Sequence, residues 1–207
     1  MSPGRLHALV DGVVAIAITL LVLDLPHPRG SEDLARDLLD EWPAYIAYAV
    51  SFATVGVVWI EHTGMMSAVR HVNRRFIERT LVFLFFVSIV PWPTSLAAEY
   101  VREGGAQART ATLLFAGTMT LMGLGVTLGW RYLAANEDLV VEPARSALPA
   151  AARRSLLGTL AYVPALVLAL LLPLAALVVT GAIAAYFALS HTAVPGLAQA
   201  TVPDDTD

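Results

Sequence analysis

The sequence predicts an all-α membrane protein of six transmembrane helices, and three observations predict it. Hydrophobic residues make up 57% of the 207 positions and charged residues 14%, with a mean hydropathy of +0.67, outside the range of soluble globular chains. The apolar residues come in long runs rather than at the spacing of a one-sided helix, so whole helices suit a lipid environment. Short links that hold most of the charge separate the runs, as in a multi-pass bundle.

The first run, RLHALVDGVVAIAITLLVLDLPHP, covers Arg5 to Pro28. From Val13 to Leu23 every residue is apolar except Thr19, and Asp11 and Asp24 stand just outside. That clean run falls short of the roughly 20 residues a lone spanning helix needs, so the first span is expected over about 8–25, packed among its neighbours. At about 100° per residue, Gly12, Ile16, Thr19, Leu20 and Leu23 share one stripe and Asp11 points away from it. Such a stripe suits a partner helix, or a narrow pore where several copies meet around an axis. A cleaved signal peptide is not expected, because Asp11 interrupts the start of the run and LVLDLPHP lacks a small-x-small cleavage site.

The other spans follow from punctuation. After the polar loop Arg29 to Glu41, Pro43 suits a first helical turn and Trp42 and Trp59 suit the two interfaces, which places the second span at about 43–60. RHVNRRFIER is an arginine-rich link. The third span, about 80–98, contains Pro91 and Pro93, which remove two backbone donors and predict a kink near Trp92. The fourth, about 108–133, carries Gly125 and Gly129, a small-xxx-small pair suited to a close helix contact. NEDLVVEPARSALPAAARR reads as a polar, partly helical loop. The apolar stretch from Ser155 to Ser190 is long enough for two spans, about 155–172 and 174–190, with a tight break near Pro173. The expected domain is therefore a single bundle over about 1–191, followed by a short acidic tail, about 192–207, with the composition of disordered chain.

Six spans put both termini on one side of the membrane. That side then carries Arg5, Arg70, Arg74, Arg75, Arg79, Arg131, Arg145, Arg153 and Arg154, against Arg29, Arg36, Arg102 and Arg109 on the other. The arginine bias predicts a cell-membrane protein with both termini cytoplasmic. The sequence has no cysteine, which excludes disulfides, thiolate metal sites and cysteine nucleophiles. A net charge of −4 gives nucleic acid no electrostatic footprint.

Ionisable groups in or beside spans are functional candidates by default, and here they are Asp11, Asp24, Glu61 and His62, with His7 and His27 nearby. His7, Asp11 and His62 belong near the same ends of the first two spans. They fit a hydrogen-bonded network that locks those ends together better than a metal or proton site. No HExxH and no GxSxG occurs, so no catalytic pattern, metal site or cofactor is expected.

Arg5-x-x-x-Leu9-Val10-Asp11-Gly12, followed by VVAIAITLLVLDL, resembles the first-helix signature of the transmembrane protein 175 family, potassium channels of bacteria, archaea and animal lysosomes. The family form is R-x-x-x-F-S-D before an apolar helix. Trp59-x-x-His62 and Pro91-Trp92-Pro93-Thr94 resemble two later family phrases, the second usually P-F-P-T, so the likeness covers roughly the first hundred residues. The resemblance implies a six-helix subunit, a homotetramer, and a pore lined by the first helix that conducts potassium passively. It implies constriction by rings of Ile16, Leu20 and Leu23, with the Thr19 hydroxyl between them, and a helix network of Arg5, Asp11, Trp59 and His62. No TVGYG filter is present. The alternative is a proton-coupled transporter or proton pathway using Asp11, Glu61 and His62. Leu9 and Val10 replace the family's phenylalanine and serine, so Asp11 is expected to pair instead with His62 or Arg5.

Overall fold

The computed structural model describes residues 1–28 and 32–190, and every regular element among them is a helix. The expected tail over about 192–207 and the loop residue Arg29 lie outside the described residues. Helix α1, Pro3–Leu21, starts earlier than its apolar run. The Ser2 hydroxyl accepts the Arg5 backbone N–H, and Pro3 sits in the first turn, where its missing N–H is not needed. The helix tightens into a 3-10 turn, Val22–Asp24, ahead of Pro26 and Pro28. The expected polar loop contains a short exposed helix α2, Leu34–Asp40, capped by Asp33.

Helix α3, Trp42–Ser67, opens with Pro43 and continues well past the expected end at Ile60. Glu61 and His62 therefore stand on a helix flanked by packed elements, not at its end. Asn73 caps α4, Arg74–Ile89, by accepting the Phe76 N–H at 2.9 Å. Helix α5, Pro91–Tyr100, continues nearly the same path. The interruption expected near Trp92 falls at Val90, because the prolines leave the turn before them without its donors; Val90 bonds instead to Val87 O at 3.2 Å.

Gly104 and Gly105, with φ of +70° and +66°, turn the chain through a left-handed conformation into α6, Gly105–Ala134. After a 3-10 turn and the single-turn helix α7, Glu142–Arg145, helix α8 covers Leu148–Leu160. The end of the expected polar loop is thus the first part of the fifth membrane segment. Pro149 in its first turn and the buried Leu148 fix that start. Helix α9, Val163–Leu171, follows a break at Tyr162, and Leu172 is non-helical (φ −137°, ψ 79°) before α10, Pro173–Ser190.

Among the described residues, five segments are long and apolar enough to cross a membrane: Pro3–Asp24, Trp42–Ser67, Arg74–Tyr100, Gly105–Ala134 and Leu148–Leu171. Pro173–Leu189 is a shorter apolar helix. Links at each end are tied to one another. The chain after α3 meets the chain after α6 through a Val69–Val140 bridge, with Arg70 N–H donating to Leu139 O at 2.8 Å and Val141 N–H to Ala68 O at 3.0 Å. At the other end the Arg102 guanidinium donates to the Asp40 carbonyl.

Helix α6 is the centre of the bundle, packing against α3, α4, α5, α8, α9 and α10. Phe115, Met119, Met122, Val126 and Leu133 are wholly buried along it. Hydroxyl pairs staple helices where apolar packing alone carries no orientation: Ser51 to Thr94 at 2.7 Å, and Thr127 to Ser155 at 2.9 Å and to Thr159 at 2.8 Å. The two glycines of the small-xxx-small pair meet different partners. A Cβ at Gly125 would stand 3.0 Å from Phe83 Cβ and 3.2 Å from its Cα, whereas one at Gly129 would stand 2.9 Å from the Met65 sulfur. Gly125→Ala is therefore expected to cost about 1–3 kcal/mol, because the α4 backbone must move. Gly129→Ala is expected to cost less, because a methionine end swings aside. Thermal unfolding of the two variants checks this order, and a larger loss at Gly129 contradicts it.

Candidate functional site

Helix α1 has two unlike faces. Leu6, Val10, Val14, Ala17 and Leu21 are buried, all at 4% exposure or less, where α1 packs on α3 and α4. The other face is bare in the single chain: Ile16 is 60% exposed, Leu20 42% and Leu23 69%. Gly12 and Thr19 are exposed with them, and nothing lies within 4 Å of where a Gly12 Cβ would be. The sequence-predicted stripe thus has no partner helix among the described residues of its own chain. Leu9, 41% exposed, extends the stripe by one more turn. Its place at i−7 from Ile16 was readable from helical spacing.

Thr19 Oγ1 donates to the Ile16 carbonyl at 2.9 Å. This fixes the hydroxyl against its own helix and leaves the oxygen lone pairs as the acceptor on the bare face.

Behind the stripe, Asp11 does not pair with His62 or Arg5 as expected. Its carboxylate accepts the Trp59 indole N–H at 2.8 Å and lies 3.7 Å from His7 Nε2. Asp11 points away from the stripe, as expected, but is not buried, since its side chain is 43% exposed. Trp59 reaches it because α1 packs against α3. Arg5 is exposed, two residues before His7. His62 is 1% exposed and stacks on Phe83, with ring centroids 5.3 Å apart, and on His7 at 6.4 Å. Neither ring nitrogen of His62 has a hydrogen-bond partner among the described residues. Val10, in place of the family's serine, is wholly buried, so apolar packing fills the position where the hydroxyl would be.

Glu61 turns to another side of α3. It lines a small cavity with Arg154, Ser155, Thr159 and Tyr162, while His62 lines one with Arg79, Thr80, Phe83 and Gly129. The structure therefore does not bring Asp11, Glu61 and His62 into one cluster. Among the described residues, no group of three His, Cys, Asp or Glu side chains is placed to hold a metal ion.

The sequence model of the family described as endosomal/lysosomal potassium channel TMEM175 matches residues 5–91. A potassium channel of Streptomyces collinus is 37% identical over 93% of this chain and 94% of its own length. One from Chamaesiphon minutus is 33% identical over 92% of this chain and 95% of its own. The crystal structure of a lysosomal potassium-selective channel TMEM175 homolog, also from Chamaesiphon minutus, superposes with a TM-score of 0.83 at 32% identity, covering 92% of this chain and 98% of that one. With relatives this similar along nearly its whole length, and the same helical framework, the chain belongs to the TMEM175 family.

Proposed function

We propose that the protein is a potassium-permeable ion channel of the cell membrane, not an enzyme, in which four copies set their α1 helices around a central pore. The observation that carries this reading is the bare stripe of Ile16, Thr19, Leu20 and Leu23 on a helix that packs on its neighbours through Leu6, Val10, Val14, Ala17 and Leu21. The relatives named as potassium channels supply the ion. At about 1.5 Å per residue in α1, and about 2 Å in the 3-10 turn that holds Leu23, the three aliphatic rings lie about 5–6 Å apart along the axis. Such rings give a cation no ligands and expel water when narrow, so they act as a hydrophobic gate. The Thr19 oxygens are the side-chain acceptors between them, which makes them the groups that discriminate between potassium and sodium. The separation of Glu61 from Asp11 and His62 favours this reading over a coupled proton relay through all three. Reconstituted protein should pass potassium down its gradient with the proton gradient collapsed; flux that requires a proton gradient would reject the channel reading.

Both termini are cytoplasmic in this proposal, since the links after α3 and α6 are tied together at one end of the bundle and the arginines Arg70, Arg74, Arg75, Arg79, Arg131 and Arg145 lie in or next to them. The link is best probed at Arg70 or His71, which are exposed. Asn73 is a poor probe because it caps α4 and donates to Tyr132 Oη at 2.9 Å. An impermeant thiol reagent outside intact cells should leave Arg70→Cys and His71→Cys unlabelled. Labelling of either would reverse the orientation.

A further inference from the structure

The outer side of the bundle carries a groove of about 710 Å³ between α8 and α10, away from the stripe on α1. Helix α8 contributes Arg153, Arg154 and Leu157, and α10 contributes Tyr186 and Phe187. Arg153 is exposed and Arg154 half-buried, and neither guanidinium forms an ion pair among the described residues. Glu61 lies in the small cavity that adjoins Arg154, so Arg153 carries the less compensated charge. Phe187 packs over Gly158, where an added Cβ would stand 3.4 Å from its ring. Tyr186 meets it edge-on at 5.3 Å and is 66% exposed.

We propose that this groove binds an anionic phospholipid, its phosphate held by Arg153 and Arg154 and one acyl chain laid along Leu157 and the Phe187 ring. Guanidinium forks match phosphate oxygens two at a time, and basic pockets between membrane helices hold lipid headgroups. Tyrosine suits the same depth, with its ring on acyl chain and its hydroxyl among headgroups. The groove opens on a surface where Leu157 and Leu160 are exposed at 57% and 51%, an apolar rim that favours a lipid over a free phosphate ion. The inference stands on membrane residence alone and does not depend on the pore.

The test is native mass spectrometry of the full chain released from micelles holding equal amounts of phosphatidylglycerol and phosphatidylcholine. Wild type should retain phosphatidylglycerol preferentially, by about fivefold for each arginine engaged. R153Q/R154Q should lose the preference, while R70Q/R75Q, which removes two exposed arginines elsewhere, should keep it. An equal loss in both variants would make the effect general surface charge and overturn the site, as would a preference that survives R153Q/R154Q. Excess glycerol 3-phosphate, which has the charge without the chains, should not displace the lipid; displacement would reassign the groove to a soluble phosphate. If wild type shows no preference until Asp204→Asn/Asp205→Asn is introduced, the acidic tail rather than lipid is the occupant and the proposal fails.

Discussion

Ile16→Asn is expected to raise the resting potassium conductance. In the proposed assembly four Ile16 side chains face one another and keep water out of the narrow part of the pore, and four amides in their place supply donors and acceptors that hold water there. Each ~1.4 kcal/mol taken off the dewetting barrier is about tenfold in rate, so even partial wetting gives a large change in single-channel recordings. Thr19→Ala is the contrasting case: it removes the hydroxyl that bonds the Ile16 carbonyl at 2.9 Å. It should lower discrimination between potassium and sodium while conduction persists. If the stripe instead packs on a neighbouring helix, Ile16→Asn buries an unpaired amide and costs about 1–3 kcal/mol of stability with currents unchanged. Recordings beside thermal melts separate the two outcomes.

Asp11→Ala should act on the other side of the same helix. The carboxylate accepts the Trp59 indole N–H at 2.8 Å and joins α1 to α3. Its loss leaves the indole donor without that partner and frees the register of α1, at about 1.5–3 kcal/mol for a hydrogen bond to a charged group, nearer the low end because Asp11 is partly exposed. The expected result is a lower yield of assembled channel, with near-normal conduction per channel in what remains. Trp59→Phe should reproduce much of that loss, and the double variant should lose little more than either alone, since both remove one bond. Full assembly of Asp11→Ala with altered single-channel currents would place Asp11 in permeation rather than in the α1–α3 joint.

The division of α1 into a packed and a bare face was legible in the sequence, because a 3.6-residue period assigns Ile16, Leu20 and Leu23 to one side whatever surrounds them. Proline chemistry likewise marked the start of α3 at Pro43 and the interruption before Pro91, where a missing N–H has a local and fixed effect. The end of α3 was not legible. Glu61 and His62 look like the close of a membrane run, yet His62 is held by Phe83, far along the chain, and Glu61 faces groups from α8 and from the turn before α9. Hydropathy registers charge and not the partners that make a charge tolerable inside the bundle. The resemblance placed Trp59 in one network with Asp11, but did not say which member bonds the carboxylate. Trp59 reads as an interfacial aromatic, and only the crossing of α1 and α3 shows that its indole N–H meets the carboxylate. Leu148 was assigned to a polar loop for a related reason, since the arginines at 153 and 154 mask a helix whose buried side is Leu148, Ser155 and Thr159.

The central claim, that the bare face of α1 lines the conducting path, is tested most directly in this cysteine-free chain by potassium current through Leu20→Cys during exposure to a bulky water-soluble thiol reagent. Ala17→Cys, at a position buried to 2% exposure against the protomer's own helices, is the control. The account predicts that modification blocks the Leu20→Cys current and leaves the Ala17→Cys current unchanged. A Leu20→Cys channel that is stoichiometrically labelled and still conducts fully would contradict it.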